Sequence, residues 1–439
     1  MDIPPTVCGG CGCQSTLAVA FKSAYSFKGP VPLCPRCVER RRRRRANAVW
    51  LGALVVLIGV PVLWAIGIEH DVLWLLALVA GFQLSKLISI LPHEWGHAFA
   101  AKMVGYRPVA IIWGNTEALF DFRWFGIRTR IGHAPDSAVT YFEPLGERAQ
   151  RVKHIVVTAA GVTVNILLGF AAVWCAARIS QPMYESIPKA MLLVFGVANF
   201  AMAFANLWPA SVNTVAGRIS NDGLRLFELM VRGPPDALQC RASASAIRMH
   251  LAWEDGEFDR AMTELDAAES LLGPTAWIDS ARGAGWCRLG KPQVARALLE
   301  NSLRKEDVDP ATRALLNNNL AWALFISDDA ALDEQSRDAS SRAYGVLPWF
   351  APVVITRACS LAAHACPGSE RLEQATKLLE RLPTLEMSKD SRQFAAVAAG
   401  LVAAARGNFR EARHQLRIAQ CFGDPGLAGR FLEARLPSN

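Results

Sequence analysis

Apolar residues in the first half of the chain concentrate in four stretches, each bounded by polar or charged segments. A helix of about twenty apolar residues can cross the ~30 Å hydrocarbon layer of a bilayer, so each stretch predicts a membrane-spanning helix. An even number of spans places both ends of the chain on the same side of the membrane. The predicted spans are residues 48–68, 72–91, 155–177 and 190–208.

The segment between the second and third spans has a different pattern. Residues 108–131 are rich in Ile, Trp, Phe, Val and Thr, and Gly114-Asn115 is a turn signal. This composition predicts one or two β-hairpins. Two interpretations remain open: a loop that folds on the membrane surface, or an edge strand that pairs with an extended substrate.

Beyond about residue 235 the apolar stretches give way to helical periodicity. In the pattern Gly256-x-Phe258-x-x-Ala261, the glycine and the alanine recur thirty-four residues later as Gly290 and Ala295. This period resembles that of tetratricopeptide repeats, so it predicts an α-solenoid with a concave protein-binding surface; a generic helical domain is the alternative. A third copy of the pattern is Gly407, Phe409 and Ala412.

Composition and charge agree with a membrane protein. Hydrophobic residues make up 52% of the 439, and the net charge is +8. Six consecutive arginines, residues 40–45, directly precede the first span, which favours a cytoplasmic membrane anchor over a nucleic-acid site. The segment between spans two and three is also basic, so we expect it and both termini to be cytoplasmic. Its basic residues include Arg123, Arg128, Arg130, Arg148, Arg151 and Lys153.

Five of the eleven cysteines fall in the first 37 residues, and the others are scattered through helix-like sequence as expected of core residues. Cys8 with Cys11, and Cys34 with Cys37, form two Cys-x-x-Cys pairs. On the cytosolic side such pairs predict metal ligands rather than disulfides. The spacing is typical of a four-cysteine zinc ribbon with one structural zinc, and Cys13 is a spare thiol or an alternative ligand.

His93 and His97 lie four residues apart in a His-Glu-x-x-His pattern at the end of the second span. On a helix both imidazoles share one face and can bind a single zinc ion, while Glu94 lies beside the metal-bound water as a general base. The alternative is that the pattern occurs by chance, but ionisable residues at membrane depth are costly and usually functional. The site needs a third protein ligand, and the segment 221–223 offers a candidate in Asp222.

These motifs together resemble the site-2 protease family of intramembrane metalloproteases over roughly residues 72–230. The resemblance implies a zinc ion held by His93, His97 and Asp222 toward the cytosolic face, with Asn165 and Asn206 near the catalytic centre. The two asparagines also fit ordinary interhelical hydrogen bonding. The motifs are His93-Glu94-Trp95-Gly96-His97, Ala160-Gly161-Val162-Thr163-Val164-Asn165, Asn206-Leu207-Trp208-Pro209 and Asp222-Gly223.

The chain departs from the family pattern in two places. Gly161-Val162 stands where the family usually has Gly-Pro, and the segment between Pro209 and Asp222 is longer than usual. Another class of membrane zinc peptidase would take its third ligand from a later glutamate, for which Glu228 is the candidate.

The resulting fold class is mainly α, with a four-helix transmembrane metalloprotease core that carries a small β-hairpin insert. The expected domains are a zinc ribbon (1–39), a basic anchor with the first span (40–71), the protease core (72–232) and a repeat domain (240–439). The predicted function is zinc-dependent cleavage of membrane-anchored proteins. The expected partners are a transmembrane substrate, the lipid bilayer and a cytosolic protein, with a bacterial inner membrane as the location. An inert membrane scaffold that assembles protein partners is the alternative.

Overall fold

The computed structural model divides the chain into two compact units. Met1–Val38 and Ser245–Asn439 form one, and Glu39–Ala244 form the other. The structure describes residues 6–8, 13–15, 22–26, 29–34, the positions 37, 41, 44, 48, 51, 52 and 55, and then 70–437 without 115–117, 133–137, 147, 183–185, 215–216 and 383–386.

Three long apolar helices form the frame of the second unit: α1 (His70–Met103), α2 (Gln150–Ala177) and α3 (Ile187–Leu207). Within the described residues, these are the three helices long and apolar enough to cross a membrane. The predicted span 48–68 lies outside the described residues, apart from a few isolated positions. The outer faces of α1, α2 and α3 carry exposed apolar side chains, as expected of surfaces that contact lipid. Examples are Leu75, Val79, Leu167, Phe170, Trp174, Val197 and Phe204.

Helix α1 extends twelve residues beyond the end that hydropathy predicts at Leu91. The His-Glu motif therefore lies inside a continuous helix rather than at its end. Small residues bring α1 against α2, since a Cβ added at Gly96 would lie 2.8 Å from Val164 and 3.0 Å from the carbonyl oxygen of Ala160. Close backbone approach of this kind replaces the hydrophobic effect as the packing force between helices in lipid.

Between α1 and α2 the chain forms a four-stranded sheet rather than a simple hairpin insert. Strands β5 (Tyr106–Trp113), β6 (Ala118–Trp124), β7 (Ile127–Gly132) and β8 (Ala138–Pro144) lie in the order β6-β7-β5-β8. One predicted hairpin is present, β6–β7, whose turn at Phe125-Gly126 has φ values of 48° and 80°. The Gly114 turn does not form a hairpin, because β5 pairs in parallel with β7 and antiparallel with β8.

Trp95 joins the sheet to the membrane helices. Its side chain is 4% exposed and packs with Ile111 of β5 and Ile127 of β7. Its ring also lies 4.9 Å from that of Trp124. The residue has no evident chemical role in the sequence motif, and the structure gives it a packing role.

The long segment between Pro209 and Asp222 folds back on itself. Strands β9 (Ser211–Thr214) and β10 (Gly217–Ser220) pair antiparallel, with Ser211 opposite Ser220. Helix α4 (Asp222–Val231) starts directly afterwards. The additional length is therefore a hairpin that returns the chain to its starting point.

The C-terminal segment is a helical solenoid-like region. It consists of α5 (Ala237–Glu254), α6 (Phe258–Leu272), α7 (Ala276–Arg288), α8 (Pro292–Leu303), α9 (Pro310–Ile326), a 3₁₀ turn (Ala330–Leu332), α10 (Asp333–Val346), α11 (Ala351–Ala362), α12 (Glu370–Glu380), α13 (Lys389–Ala405), α14 (Phe409–Cys421) and α15 (Gly426–Glu433). Its core is built mainly from Ala, Leu and Val.

The recurring glycines have one shared role in this region. Gly256, Gly290 and Gly407 have φ values of 78°, 74° and 75°, and each follows a helix. At all three, the amide one residue later donates to a carbonyl five residues back, as in the helix-terminating Schellman motif. The alanine five residues after each of these glycines is buried. The sequence period therefore corresponds to one repeated helix-turn-helix unit.

The N-terminal segment packs against this helical region in the same unit. Strands β1 (Thr6–Val7) and β2 (Gln14–Ser15) form one antiparallel pair, and β3 (Lys22–Ser26) and β4 (Gly29–Leu33) form another. Trp349 packs against its buried cysteine cluster. The Ser15 hydroxyl donates to the Val346 carbonyl over 2.7 Å.

Candidate metal centre

His93 and His97 face the same point between the membrane helices. Their Nε2 atoms are 3.1 Å apart, and the two rings are nearly perpendicular, at 87°. Both side chains are buried. A carboxylate oxygen of Glu94 lies within 4.8 Å of both histidine nitrogens. The helix thus brings together the three residues that the sequence pattern selects.

The neighbours of each imidazole direct its Nε2 inward. His97 Nδ1 lies 2.7 Å from the carbonyl oxygen of Val157, which can only accept, so Nδ1 carries the proton and Nε2 offers a lone pair. His93 Nδ1 lies 3.1 Å from the amide of Asn165. The Asn165 oxygen has no hydrogen-bond partner among the described residues. With the amide reversed, that oxygen accepts from His93 Nδ1–H, which leaves His93 Nε2 free as well.

Asp222 reaches the two histidines from the start of α4. Its carboxylate oxygens lie 3.1 Å from His93 Nε2 and 3.5 Å from His97 Nε2. Two imidazole lone pairs and a carboxylate that converge in a buried space repel one another unless a cation lies between them. This donor set, two nitrogens and one oxygen ligand, fits zinc. The carboxylate and both histidines could therefore hold one metal ion.

Asn221 positions this carboxylate. Its Oδ1 accepts from the amides of Ala210 and Leu224, each over 3.0 Å, so the side chain caps α4. Its Nδ2 donates to the carbonyls of Ala205 and Trp208, over 3.1 Å and 2.7 Å. One side chain therefore joins the end of α3 to the start of α4. Because α4 starts at Asp222, this joint fixes the carboxylate next to the histidines.

Two glycines make room for the centre. A Cβ added at Gly161 of α2 would contact His97 Nε2 and would lie 2.6 Å from His93 Nε2. A Cβ at Gly223 would overlap the carbonyl of Leu207. The histidines and the carboxylate can converge because these two positions have no side chain.

The two predicted asparagines both approach His93. Asn165 is fully buried on α2, as described above, and Asn206 of α3 has its Nδ2 3.5 Å from His93 Nε2, the outer limit of a hydrogen bond. Asn165 therefore has the firmer contact.

The sheet also contributes a residue that the sequence motifs do not indicate. Thr140 of β8 has its hydroxyl 2.7 Å from Glu94 Oε2 and 3.0 Å from the Glu94 carbonyl oxygen. The motifs do not contain Thr140, and its strand was not predicted. By contrast, Asn221 could have been found, since an asparagine directly before an amphipathic segment is a helix-start signal.

The N-terminal cysteines form a second cluster. The sulfurs of Cys8, Cys34 and Cys37 lie within 4.8 Å of one another and are buried. The Cys34 amide donates to the Cys8 sulfur over 3.2 Å, as in a metal-binding knuckle. Cys13 is buried beside them, and Cys11 lies outside the described residues. Three of the four predicted ribbon ligands therefore meet.

Of the six scattered cysteines, two are buried as core residues, Cys240 is partly buried, and three are exposed, contrary to the expectation from the sequence. Cys287 and Cys359 are buried in the helical region, and burial raises the pKa of the Cys287 thiol to about 12. These two are core residues, as expected. Cys175, Cys366 and Cys421 are exposed.

The buried histidines lie on a helix that is long and apolar enough to cross a membrane, and with Glu94 they form a group that could hold a metal ion. Residues 81–221 match the model of Peptidase family M50, which confirms the resemblance to site-2 proteases. This segment is about a third of the chain. Members of that family are membrane zinc metallopeptidases, so the match indicates a membrane metallopeptidase.

Other comparisons add little to this. No curated protein matches the chain. Among solved structures, the crystal structure of yeast Tom70 is similar at 13% identity, with 91% of this chain and 83% of that chain covered and a TM-score of 0.29. A score of that size does not establish a shared fold.

Proposed function

We propose that the chain is an intramembrane zinc endopeptidase that cleaves membrane-anchored proteins. The convergence of His93, His97 and Asp222 beside Glu94 carries this proposal. Zinc held by the two imidazoles and the carboxylate would act as a Lewis acid, which polarises the carbonyl of the substrate and lowers the pKa of a bound water. The ribbon cysteines hold a second zinc ion, which is structural.

Each residue of the centre then has a defined task. Glu94 takes the proton of the attacking water and passes it to the leaving amine. Val157 and Asn165 hold the imidazoles in the tautomer that binds metal. Asn206 approaches His93 Nε2 to 3.5 Å, a position from which its amide can donate to the substrate carbonyl.

Basic residues support a cytosolic position of the centre. The segment between α1 and α2 carries positive charges that include Arg107, Arg123 and Arg128, as cytoplasmic segments do. His93 and His97 lie in the third of α1 nearest that segment. The repeat region then has access to a cytosolic protein partner.

The edge strand β8 supports an extended mode of substrate binding. This strand pairs with β5 on one side and has no strand on its other side within the described part of the chain. Thr140 lies on it and contacts Glu94, so a peptide paired to this edge passes close to the general base. A helical substrate must unwind to expose its carbonyls, and strand pairing satisfies the backbone groups that unwinding frees.

The decisive experiment compares Glu94→Gln with the wild type in a membrane preparation. We expect the variant to keep its zinc and to lose cleavage by at least about a thousandfold, because the base acts only in the transition state. Membrane proteins that accumulate in cells with this variant are the candidate substrates. Unchanged cleavage would exclude Glu94 as the general base, and an unchanged cellular phenotype would favour the inert scaffold.

A second pair of variants tests the third ligand. Asp222→Ala should lose the catalytic zinc, while Glu228→Ala, six residues along the same helix, should keep it. Zinc content measured by mass spectrometry separates the two. The reverse result would assign the site to the class that uses a later glutamate.

A further inference from the structure

The N-terminal segment and the repeat region are in direct contact although they are far apart in sequence. Ser15 is 1% exposed and donates to the carbonyl of Val346, 331 residues away. Trp349 packs against the buried cluster of Cys8, Cys13, Leu33, Cys34 and Cys37. These five residues form the cysteine knuckle.

The knuckle is too small to be stable without additional support. Its described strands are two to five residues long, and its buried residues are mainly cysteines. Segments of this size usually fold only when a metal ion or a larger partner supplies the missing core. Both supports are present in this protein: a set of converging sulfurs and the side chain of Trp349.

The contact also constrains the path of the chain through the membrane. Residues 6–37 and 346–349 must be on the same side of the membrane to touch. Three candidate spans, α1, α2 and α3, lie between them among the described residues. Three crossings would leave the two segments on opposite sides, so a further crossing is required. The apolar stretch 48–68 is long enough to provide it.

We propose that the cysteine knuckle is a metal-dependent docking module whose partner is the corner between α10 and α11 of the same chain. Its docking fixes the N-terminal segment and the repeat region to one side of the membrane, with four crossings between them. The metal organises the sulfurs, and the organised knuckle provides the surface that Trp349 covers. This inference does not depend on the proposed protease activity.

The full-length protein in detergent micelles provides the first test. Cys34→Ser should lower the zinc content by about one ion per chain and speed amide exchange at residues 346–350 by at least about tenfold. Cys366→Ser, at an exposed cysteine of the repeat region, is the matched control and should change neither. Loss of zinc with unchanged exchange at 346–350 would overturn the proposal.

A second variant separates docking from metal binding. Trp349→Ala should keep both zinc ions but speed exchange in residues 29–34. Exchange in α13 and α14 serves as the fold control. Protection of residues 29–34 that equals the wild type would show that the corner does not hold the knuckle.

Reporter fusions in cells test the membrane topology. A fluorescent protein that matures only in the cytosol should be bright at either end of the wild-type chain. Deletion of residues 48–68 should make the N-terminal fusion dark or abolish the exchange protection at 346–350. Opposite signals from the two ends of the wild type would overturn the inference.

The contact of Thr140 with Glu94 independently carries a second inference, which rests on the proposed function. The hydroxyl lies close enough to donate to Glu94 Oε2 from a strand outside the membrane helices. A carboxylate has freely rotating oxygens unless a donor fixes them. We infer that Thr140 is a positioning residue, which orients the Glu94 carboxylate toward the attacking water.

Variants with matched shape test this role. Thr140→Val should lower kcat by at least about tenfold with KM unchanged, since it removes a hydrogen bond to a charged group. Thr140→Ser keeps the hydroxyl and should restore most of the rate. Thr129→Val is the control, because that buried threonine of β7 has no hydrogen-bond partner for its hydroxyl among the described residues.

Three outcomes distinguish the proposals. If Glu94→Gln retains full activity, the protease mechanism itself fails. If Glu94→Gln is inactive but Thr140→Val has wild-type kcat, only the positioning role fails. A rise in KM alone would also contradict it, since it would assign Thr140 to substrate binding.

Discussion

The two metal-site candidates of this chain are built in opposite ways. The membrane centre takes its candidate ligands from α1 and α4, while residues of α2 orient the imidazoles. The N-terminal site takes its cysteines from short strands and turns, and its sulfurs are closely grouped and buried. A large scaffold holds the first site, whereas the second site is itself the core of a small segment.

This difference separates a reactive site from a structural one. A centre with two imidazoles and one carboxylate leaves a coordination position for water, and Glu94 stands beside it. A centre of thiolates fills its coordination shell and offers no position for a substrate. The supporting residues differ accordingly, since a reactive site needs oriented ligands and a structural one needs only enough of them.

The largest effect is expected from filling the space beside Gly161, which the two imidazoles occupy. Gly161→Ala places a methyl group against both Nε2 atoms, and a shift of α1 away from it would break the close packing of Gly96 on Ala160. We expect loss of the catalytic zinc and a fall in peptidase activity of at least about a hundredfold.

The zinc of the cysteine knuckle should remain in that variant. Total zinc and cleavage are measured on the same preparation. Gly345→Ala, at a glycine with open space around it, is the control. Full activity of Gly161→Ala would mean that the ligands are not held as the structure has them.

A smaller effect is expected from the residue that orients His93. Asn165→Ala removes the partner of Nδ1, and such outer-shell changes usually lower metal affinity by about 10–100-fold. Asn199→Ala is a matched control, since Asn199 is also a buried asparagine in a membrane helix but, among the described residues, bonds only to Phe195 of its own helix. Zinc titration with a competing chelator measures both. Equal affinities would reduce Asn165 to an interhelical packing role.

The smallest effect concerns the joint between α3 and α4. Asn221→Ala removes a helix cap and several hydrogen bonds, which should lower stability by about 1–2 kcal/mol. Zinc affinity should fall only slightly, because Asp222 keeps its place in the sequence. Thermal unfolding with and without zinc checks this, and Asn221→Ser should recover part of the loss. A large loss of zinc would give Asn221 a direct role at the metal.

Sequence patterns that depend on neighbours along the chain predicted much of this molecule. Apolar length located α1, α2 and α3, and residue spacing located His93, His97 and the repeated glycine turns. Each of these signals is local, since it depends on contacts within a helix or turn between residues three to five positions apart. The ribbon cysteines belong to the same category.

The unpredicted parts depend on contacts between distant segments. Strand β5 pairs with β7 and β8 rather than with its neighbour β6, and the Gly114 turn gives no sign of this. Thr140 acquires its contact with Glu94 only through that pairing. Hydropathy also placed the end of α1 too early, because the residues after Leu91 are buried by the sheet and by α2 rather than by lipid.

The β9–β10 hairpin gives the protein an unusual freedom at its metal site. Ala210 and Asn221, at the two ends of the hairpin, are hydrogen-bonded to each other. The length of the hairpin therefore does not determine the position of Asp222. The cost of a longer loop grows only slowly with its length once the ends are held together. The segment between the two strands can therefore change in length without moving Asp222, and an epitope tag inserted there offers a way to detect the folded protein.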